Sequence, residues 1–146
     1  EDPDFVIIAR TDARTNLGIE EALRRGKAFA EAGADVLFIE SPESLEEMKL
    51  ITSSFNVPVL ANMVEGGRTP LMTAKELQEL GYGLVIFPTS STYITAQAVT
   101  RCMQELKTNG TTKALLNEMI PFQQFNELVG LPGVREIENK FLPPQK

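Results

Sequence analysis

Four short apolar segments alternate with helical patterns over the first 110 residues, and this alternation constrains the fold more than any other feature of the sequence. Each segment has four or five residues, nearly all apolar, which is typical of strands buried on both faces of a parallel sheet. Because parallel neighbours need a crossover connection, the alternation predicts four consecutive right-handed βα units. The predicted strands are 5–9, 36–39, 57–61 and 84–87.

The segments between the predicted strands carry helix signals. Apolar residues recur at three- and four-residue steps over 19–32, and Gly33 stands where a C-terminal cap is expected. A longer helix is predicted over 92–107. Two further helices begin with the Ser/Thr-x-x-Glu spacing of a capping box. The two predicted boxes are Ser44 with Glu47 and Thr73 with Glu76.

A helical tail follows the last predicted strand, and no further strand is indicated. We predict two domains: a half-barrel of four βα units over 1–110 and a helical tail over 111–146. The tail carries many Phe, Leu, Ile, Val and Met side chains, so it must pack on the body of the protein or on another chain. Its predicted helices are 111–120, 122–129 and 134–141, with Pro121 between the first two.

The four βα units do not close a barrel by themselves. A complete (β/α)8 barrel needs about 250 residues, and four parallel strands leave two unpaired edges. An open four-stranded sheet flanked by helices is the alternative, but no glycine-rich phosphate loop or dinucleotide fingerprint follows the first strand. The predicted fold class is therefore α/β: the C-terminal half of a (β/α)8 TIM-type barrel, with the first half outside this sequence.

Composition excludes several classes of function. The chain has no histidine, so it contains no Ser-His-Asp triad, no His-ligated zinc and no histidine base. Its net charge of −6 argues against nucleic acid and anionic membranes as partners. No apolar run approaches the roughly 20 residues that span a bilayer. Cys102 is the single cysteine, which excludes an intrachain disulfide and favours a cytoplasmic location.

Polar residues follow three of the predicted strands directly: Arg10, Glu40 and Asn62. The carboxyl ends of parallel strands meet at one edge, where ligands bind in α/β folds. One interpretation is a pocket for a small polyanion, in which Arg10 binds a carboxylate with two hydrogen bonds, Asn62 donates its amide, and Glu40 orients a water, a metal-bound water or a hydroxyl. The other is a structural Arg10–Glu40 ion pair, with Asn62 bonded to loop backbone. The pattern alone does not decide between them.

Other candidate residues have simpler structural interpretations. Cys102 lies within a predicted helix and is interpreted as a small buried hydrophobe rather than a nucleophile. Arg68 follows Gly66 and Gly67 and is either a second cation at the site or part of a solvated loop. The acidic cluster at the predicted helix start is interpreted as a solvated surface, so no metal site is predicted within the chain. The cluster is Glu43, Glu46 and Glu47.

Four strings, in order over nearly the whole chain, carry a family resemblance: IARTDA at 8–13, EAGAD at 31–35, ANMVEGG at 61–67 and FNELVGL at 125–131. As a set they resemble the isocitrate lyase/phosphoenolpyruvate mutase superfamily. Within it the chain is most similar to the carboxyvinyl-carboxyphosphonate phosphorylmutases, 2-methylisocitrate lyases and dimethylmalate lyases. The resemblance implies an α/β barrel, a Mg²⁺ ion, a pyruvate enolate-like intermediate, and homo-oligomers that exchange a helix beyond the barrel.

The resemblance also implies roles for single residues. Arg10 matches the arginine that binds a substrate carboxylate, and Asn62 matches a substrate-binding asparagine. Glu40 matches the acid near the metal–water shell that the lyase members use, and it is the predicted catalytic residue. Pro88 stands where lyase branches tend to have proline, so it is included among the substrate-binding residues. The family's metal-binding aspartates and its catalytic cysteine loop precede these positions, outside this chain.

The implied function is a Mg²⁺-dependent carbon–carbon lyase acting on a 2-hydroxy or alkyl-malate-type dicarboxylate, of which this chain is the substrate-binding half. Two alternatives stay open. The first is phosphonomutase-type chemistry on the same fold, against which Glu40 and Pro88 argue. The second is a catalytically inert half-barrel that serves as an assembly module.

Overall fold

A computed structural model describes residues 2–142, in which short strands alternate with helices. The chain forms two compact units, the first ending at Thr95 and the second beginning at Ala96. The strands are β1 Ile8–Thr11, β2 Val36–Ile39, β3 Leu60–Asn62 and β4 Leu84–Ile86. The helices are α1 Ala13–Leu17, α2 Ile19–Glu31, α3 Leu45–Ser53, α4 Ala74–Glu79, α5 Ser90–Asn109, α6 Phe122–Leu128 and α7 Leu131–Phe141, with a 3₁₀ helix at Lys113–Glu118.

The strands pair in parallel with their neighbours in sequence. β1 pairs with β2 over four residues, and β3 pairs with β4 over three. A single parallel bridge between Leu37 and Val59 connects β2 to β3, supported by a 3.0 Å hydrogen bond from the Leu37 N–H to the Pro58 carbonyl. The predicted α/β class and the parallel direction are therefore confirmed.

The two faces of this strand array are covered differently. Successive strand residues point to opposite faces, and one face packs against α2, α3 and α4 in a continuous core. The other face carries a small cluster of Val36, Phe38 and Leu60. Arg10 is the register partner of Phe38, and Glu40 and Asn62 each follow a cluster residue by two positions. All three polar residues therefore share the face that these helices leave uncovered.

Burial on both faces, expected for every strand, holds only for the centre. All four residues of β2 are buried, but Ile8 in β1 is 46% exposed, and Leu84 and Ile86 in β4 are 40% and 38% exposed. The expectation is wrong for β1 and β4 because, among residues 2–142, each pairs along one edge only. β1 begins at Ile8 rather than at residue 5, opposite Val36, the first residue of β2.

One predicted capping box forms completely and the other forms by half. Thr73 and Glu76 exchange both hydrogen bonds at the start of α4. At α3 the Ser44 hydroxyl accepts from the Glu47 N–H, but the Glu47 carboxylate binds Arg14 and the Glu43 N–H instead of returning to Ser44. A guanidinium forms a stronger hydrogen bond with a carboxylate than a backbone amide does. The Glu47 carboxylate therefore binds Arg14 rather than the Ser44 N–H.

The tail differs from the prediction mainly in its first helix. Residues 111–120 were expected to be α-helical, but only Lys113–Glu118 is ordered as a helix there, and it is 3₁₀. The segment lies between Gly110, at φ +65°, and Pro121, which disfavours helical backbone in the residue before it. The helices predicted near 122–129 and 134–141 are confirmed as α6 and α7. The domain division at residue 110 stays a prediction.

Two further findings concern helices. No sequence pattern predicted α1, a five-residue helix that begins two residues after the end of β1. Within residues 2–142, no helix combines the length and the apolar character that crossing a membrane requires.

Candidate active site

Arg10, Glu40 and Asn62 meet at the carboxyl ends of three successive strands. The Arg10 Nη2 lies 3.2 Å from the Glu40 Oε2, and the Asn62 Nδ2 donates to the same oxygen at 3.2 Å. Arg10 and Glu40 are 30 positions apart in sequence and Glu40 and Asn62 are 22 apart, and only the parallel arrangement of β1, β2 and β3 brings the three together. Their predicted juxtaposition is therefore present, while their roles remain predictions.

The Arg10 guanidinium is held in a fixed plane. Its Nε and Nη2 donate to the two carboxylate oxygens of Asp12 at 3.0 and 2.8 Å, and the guanidinium lies 4.6 Å from the centre of the Phe38 ring. The hydrogen bond with Asp12 raises the pKa of Arg10 and lowers the pKa of Asp12. Among residues 2–142, Nη1 has no hydrogen-bond partner. The Arg10 guanidinium is therefore held in a defined orientation and still has N–H donors with which to bind a ligand carboxylate.

Glu40 is largely buried, with 15% of its side chain exposed. Both of its oxygens accept hydrogen bonds, since the Ser41 hydroxyl donates to Oε1 at 3.0 Å while Arg10 and Asn62 approach Oε2. Ser41 has φ +59°, the left-handed conformation that residues with a side chain rarely adopt. A strained residue of this kind, directly beside a buried carboxylate, indicates that the turn is shaped for the placement of Glu40.

Asn62 leaves one polar atom unsatisfied. Its Oδ1 is buried and has no partner among residues 2–142. A cavity of about 10 Å³ lies beside Asn62, lined also by Ser41, Met63 and Tyr82, which is roughly the space that one water molecule needs. An unpaired buried acceptor is destabilising by about 1–3 kcal/mol, so this carbonyl is suited to accept a hydrogen bond from water or from a ligand hydroxyl.

Pro88 lies in the turn after β4, and the side-chain hydrogen bonds that fix this turn go to Glu65 rather than to Arg10, Glu40 or Asn62. It follows β4 by two residues, and the next two residues donate their hydroxyls to Glu65: Thr89 at 2.8 Å and Ser90 at a shorter distance. These hydrogen bonds, the one from Ser90 foremost, lower the pKa of Glu65. The turn that carries Pro88 is therefore fixed to the segment after β3, three residues beyond Asn62.

The residues at this site do not fit a Mg²⁺ ion. Mg²⁺ needs several oxygen ligands in near-octahedral geometry, and the part of the chain that the structure describes contains no group of three or more His, Cys, Asp or Glu placed to hold a metal. The buried carboxylate, Glu40, has an arginine and two hydrogen-bond donors on its oxygens.

Comparison with known proteins relates this geometry to a family. The family described as phosphoenolpyruvate phosphomutase, PEP mutase for short, matches residues 1–107, which include all four strands and every residue of the site. The chain belongs to the PEP mutase family. The predicted superfamily resemblance is thereby confirmed.

Individual relatives give the same assignment. The chain is 52% identical over 139 residues to 2,3-dimethylmalate lyase of Eubacterium barkeri, covering 95% of this chain and 48% of the relative. A crystal structure of a 2,3-dimethylmalate lyase matches with a TM-score of 0.83 at 33% identity, over 94% of this chain and 48% of that one. Phosphonopyruvate hydrolase in complex with oxalate and Mg²⁺ matches with a TM-score of 0.81 at 28% identity, over 98% and 51%.

The chain thus spans about half the length of the relatives it matches. Its fold is the α/β fold of these superfamily members.

Two predictions about single residues are corrected or refined in this family member. Cys102 is half-buried rather than fully buried, and in the second unit it lines a cavity of about 280 Å³ with Val99 and Leu115. Helix α5, which carries Cys102, has no fully buried residue, so the apolar residues along it do not enclose the Cys102 thiol. Arg68 is 57% exposed and lies 3.8 Å from Glu43.

Sequence reasoning missed three partners of the predicted site residues: Asp12, Ser41 and Phe38. For Asp12 a signal was present, because a spacing of two residues at a strand end places both side chains on one face. Ser41 directly follows Glu40, but nothing in the sequence indicates its positive φ. Phe38 contacts Arg10 through the β1–β2 register, which sequence patterns do not specify.

Proposed function

We propose that the full-length protein is a Mg²⁺-dependent carbon–carbon lyase acting on a 2-hydroxy or alkyl-malate-type dicarboxylate, and that this chain is its substrate-binding half. The observation that carries the proposal is the Arg10–Glu40–Asn62 group, with contacts of 3.2 Å and an unsatisfied buried carbonyl. The 52% identity to a 2,3-dimethylmalate lyase supports this substrate class over the other chemistries of the family.

We further propose that the four βα units are the C-terminal half of a (β/α)8 barrel. Ile8, Leu84 and Ile86 are 38–46% exposed on the two outer strands. Ile8 precedes Arg10 by two positions, and Ile86 is the register partner of Asn62, so both fall on the same face as these polar residues. Interior side chains of a closed barrel are packed in layers. Four more strands would bury these apolar residues and give each outer strand its second neighbour.

The proposed steps use the chain's own side chains as follows. The Arg10 guanidinium binds the substrate carboxylate next to the bond that breaks, and its positive charge stabilises the enolate that develops there. Glu40 accepts the hydrogen bond of the substrate hydroxyl, whose proton passes to a base outside this chain as the carbon–carbon bond breaks. An acid outside this chain, where the resemblance implies a catalytic cysteine loop, returns a proton to the enolate carbon. The Asn62 Nδ2 group donates to the second carboxylate. Mg²⁺, which stabilises enolate charge when bound, would be held by residues outside this chain.

The test uses full-length protein and a series of malates substituted at C2 and C3, with release of the 2-oxo acid measured in the presence and absence of Mg²⁺. We expect Mg²⁺-dependent cleavage, and we expect Glu40→Gln to lower kcat by about 10- to 100-fold, since a hydrogen bond to a charged group contributes roughly 1.5–3 kcal/mol. The 146-residue chain alone should be inactive. Far-UV circular dichroism confirms that the variant is folded.

Two results would contradict this proposal. Absence of cleavage for the whole series, together with turnover of a phosphonate such as phosphonopyruvate, would assign the protein to the phosphonate branch of the family. Activity of the isolated chain would show that the site needs no second half. The cytoplasmic location predicted from the single cysteine is part of the proposal and is tested by cell fractionation.

We also propose that the protein is a homo-oligomer in which the tail packs on a neighbouring subunit. Phe122, Phe125 and Leu128 lie at three-residue spacing on α6 and are 84%, 48% and 74% exposed. They form an apolar stripe that favours burial against a partner surface. The superfamily resemblance, which implies helix exchange between subunits, points the same way.

Replacing Phe122 and Phe125 together by serine is therefore expected to lower the oligomer mass, measured by light scattering, before it lowers helix content. The matched control replaces Gln123 and Gln124 on the same helix by serine and should leave the mass unchanged. If the Phe variant keeps its oligomeric mass up to the point where the whole protein unfolds, the tail packs on its own subunit and the proposal is wrong.

A further inference from the structure

A buried ion pair connects two of the segments that follow the site strands. Arg14, on α1, donates through Nε and Nη2 to the two oxygens of Glu47 at 2.9 and 2.8 Å. Only 15% of the Arg14 side chain and 22% of the Glu47 side chain are exposed. Arg14 also contacts Glu43. The pair spans 33 positions of sequence, so it joins parts of the chain that local structure does not hold together.

The pair lies close to the site along both segments. Arg14 follows Arg10 by four residues, and Glu47 follows Glu40 by seven. The Glu47 carboxylate also accepts from the Glu43 N–H at 2.8 Å, which closes the segment between Glu40 and α3. The connection after β1 and the connection after β2 are therefore fastened to each other four residues after Arg10 and seven residues after Glu40.

The strained residue Ser41 lies two positions before Glu43, the residue whose N–H binds the Glu47 carboxylate. A non-glycine residue at φ +59° is unfavourable by about 1–3 kcal/mol and persists only when its surroundings hold it. The Ser41 hydroxyl donates to Glu40 at 3.0 Å. Relaxation of this turn would withdraw that donor from Oε1 and leave the carboxylate free to shift relative to Asn62, which binds Oε2. The contacts of Glu47 at the far end of the segment oppose such relaxation.

We propose that Arg14 and Glu47 are positioning residues that hold Glu40 in place for the reaction, an inference that rests on the proposed lyase function. They act on Glu40 rather than on Arg10. The Arg10 guanidinium has its own support in Asp12 and in the Phe38 ring. Loss of the pair should consequently disturb the chemical step more than the binding of the substrate carboxylate.

The chain contains a matched control pair. Arg24 donates through Nε and Nη2 to the two oxygens of Glu21 at 2.7 and 2.8 Å, the same two-bond geometry as Arg14 with Glu47. Glu21 lies in the first turn of α2, as Glu47 lies in the first turn of α3. The Arg24 side chain is 68% exposed, and this pair joins residues of one helix, so it does not fasten two connections.

The experiment compares Arg14→Lys, Glu47→Gln and the double variant with Arg24→Lys and Glu21→Gln in the full-length protein. We expect each single site variant to lower kcat by roughly 5- to 30-fold with KM within about twofold, since small misplacement of a reacting group is costly. The double variant should be no worse than either single one, because the two residues act as a unit. Both control variants should stay within twofold of the parent.

A second measurement does not depend on activity. The Asn62 Nδ2 group donates to Glu40, so its side-chain amide resonance in a ¹H–¹⁵N spectrum reports on where Glu40 lies; an Asn62→Asp variant assigns it. We expect this resonance to shift in Arg14→Lys and Glu47→Gln and to stay in place in the control variants. A pair that merely stabilised the fold would lower the melting temperature without moving this resonance.

The outcomes separate the two proposals. An unmoved Asn62 resonance overturns the inference whatever the activity, and so does a moved resonance with unchanged kcat. If the parent protein cleaves no dicarboxylate, the proposed function fails, while the resonance still decides whether the Arg14–Glu47 pair positions Glu40. A moved resonance with a lowered kcat and an unchanged KM supports both.

Discussion

Replacement of Arg10 by lysine is expected to lower kcat/KM of the full-length enzyme by roughly 10- to 1,000-fold, about 1.4–4 kcal/mol of transition-state stabilisation. Lysine keeps the positive charge but cannot bind Asp12 through two nitrogens and a ligand carboxylate through a third. In the structure, Nε and Nη2 of Arg10 bind Asp12, and Nη2 also contacts Glu40. These contacts set the direction in which Nη1 points. Loss of that orientation should affect both KM and kcat.

The measurement is initial-rate kinetics of 2-oxo acid release with the best substrate of the malate series. Arg24→Lys is the control, because Arg24 binds a carboxylate through the same two nitrogens on an exposed helix surface. Equal kinetics for the Arg10→Lys and parent enzymes would show that the Arg10–Glu40 contact is a structural ion pair. That is the alternative which the sequence left open.

Replacement of Ile51 by alanine is expected to lower the free energy of unfolding by about 2–5 kcal/mol. Ile51 is 0% exposed and packs in the continuous core with Met48 of its own helix and Leu77 of α4. Shortening a fully buried side chain removes its transfer free energy and leaves a cavity. This loss is a large part of the 5–15 kcal/mol by which an ordinary domain is stable.

Leu50→Ala provides the comparison, since Leu50 is the preceding residue of α3 and is 41% exposed. Both substitutions introduce alanine into the same helix, so helix propensity changes little between them. We expect the Leu50 variant to lose less than about 1 kcal/mol in urea unfolding followed by circular dichroism. Similar losses for the two variants would mean that the core does not lie on the side of α3 that the structure indicates.

The candidate site was accessible to sequence reasoning in part. Polar residues directly after apolar segments identified Arg10, Glu40 and Asn62, because parallel strands bring such positions to one edge. The hydrogen bonds that orient them were not accessible. Arg14 and Glu47 are 33 residues apart. Local spacing alone places Glu47 in a capping box, but the distant Arg14 guanidinium binds the Glu47 carboxylate instead.

The order and type of the four strands and of most helices were determined by the sequence itself, the exceptions being α1 and the 3₁₀ helix at Lys113–Glu118. Apolar runs, helical periodicity, glycines after helices and the Thr73–Glu76 box act over a few residues, and each gave the element that the structure contains. The tertiary structure alone decided which strand faces are covered and which partner each charged group has. Ile8 and Ile86 have the composition of buried strand residues and yet are exposed, because burial depends on what packs above a residue and not on the residue itself. The position of Glu40 likewise depends on Ser41, Asn62 and Arg10 at once, and contacts among separate segments exist only after the strands have paired.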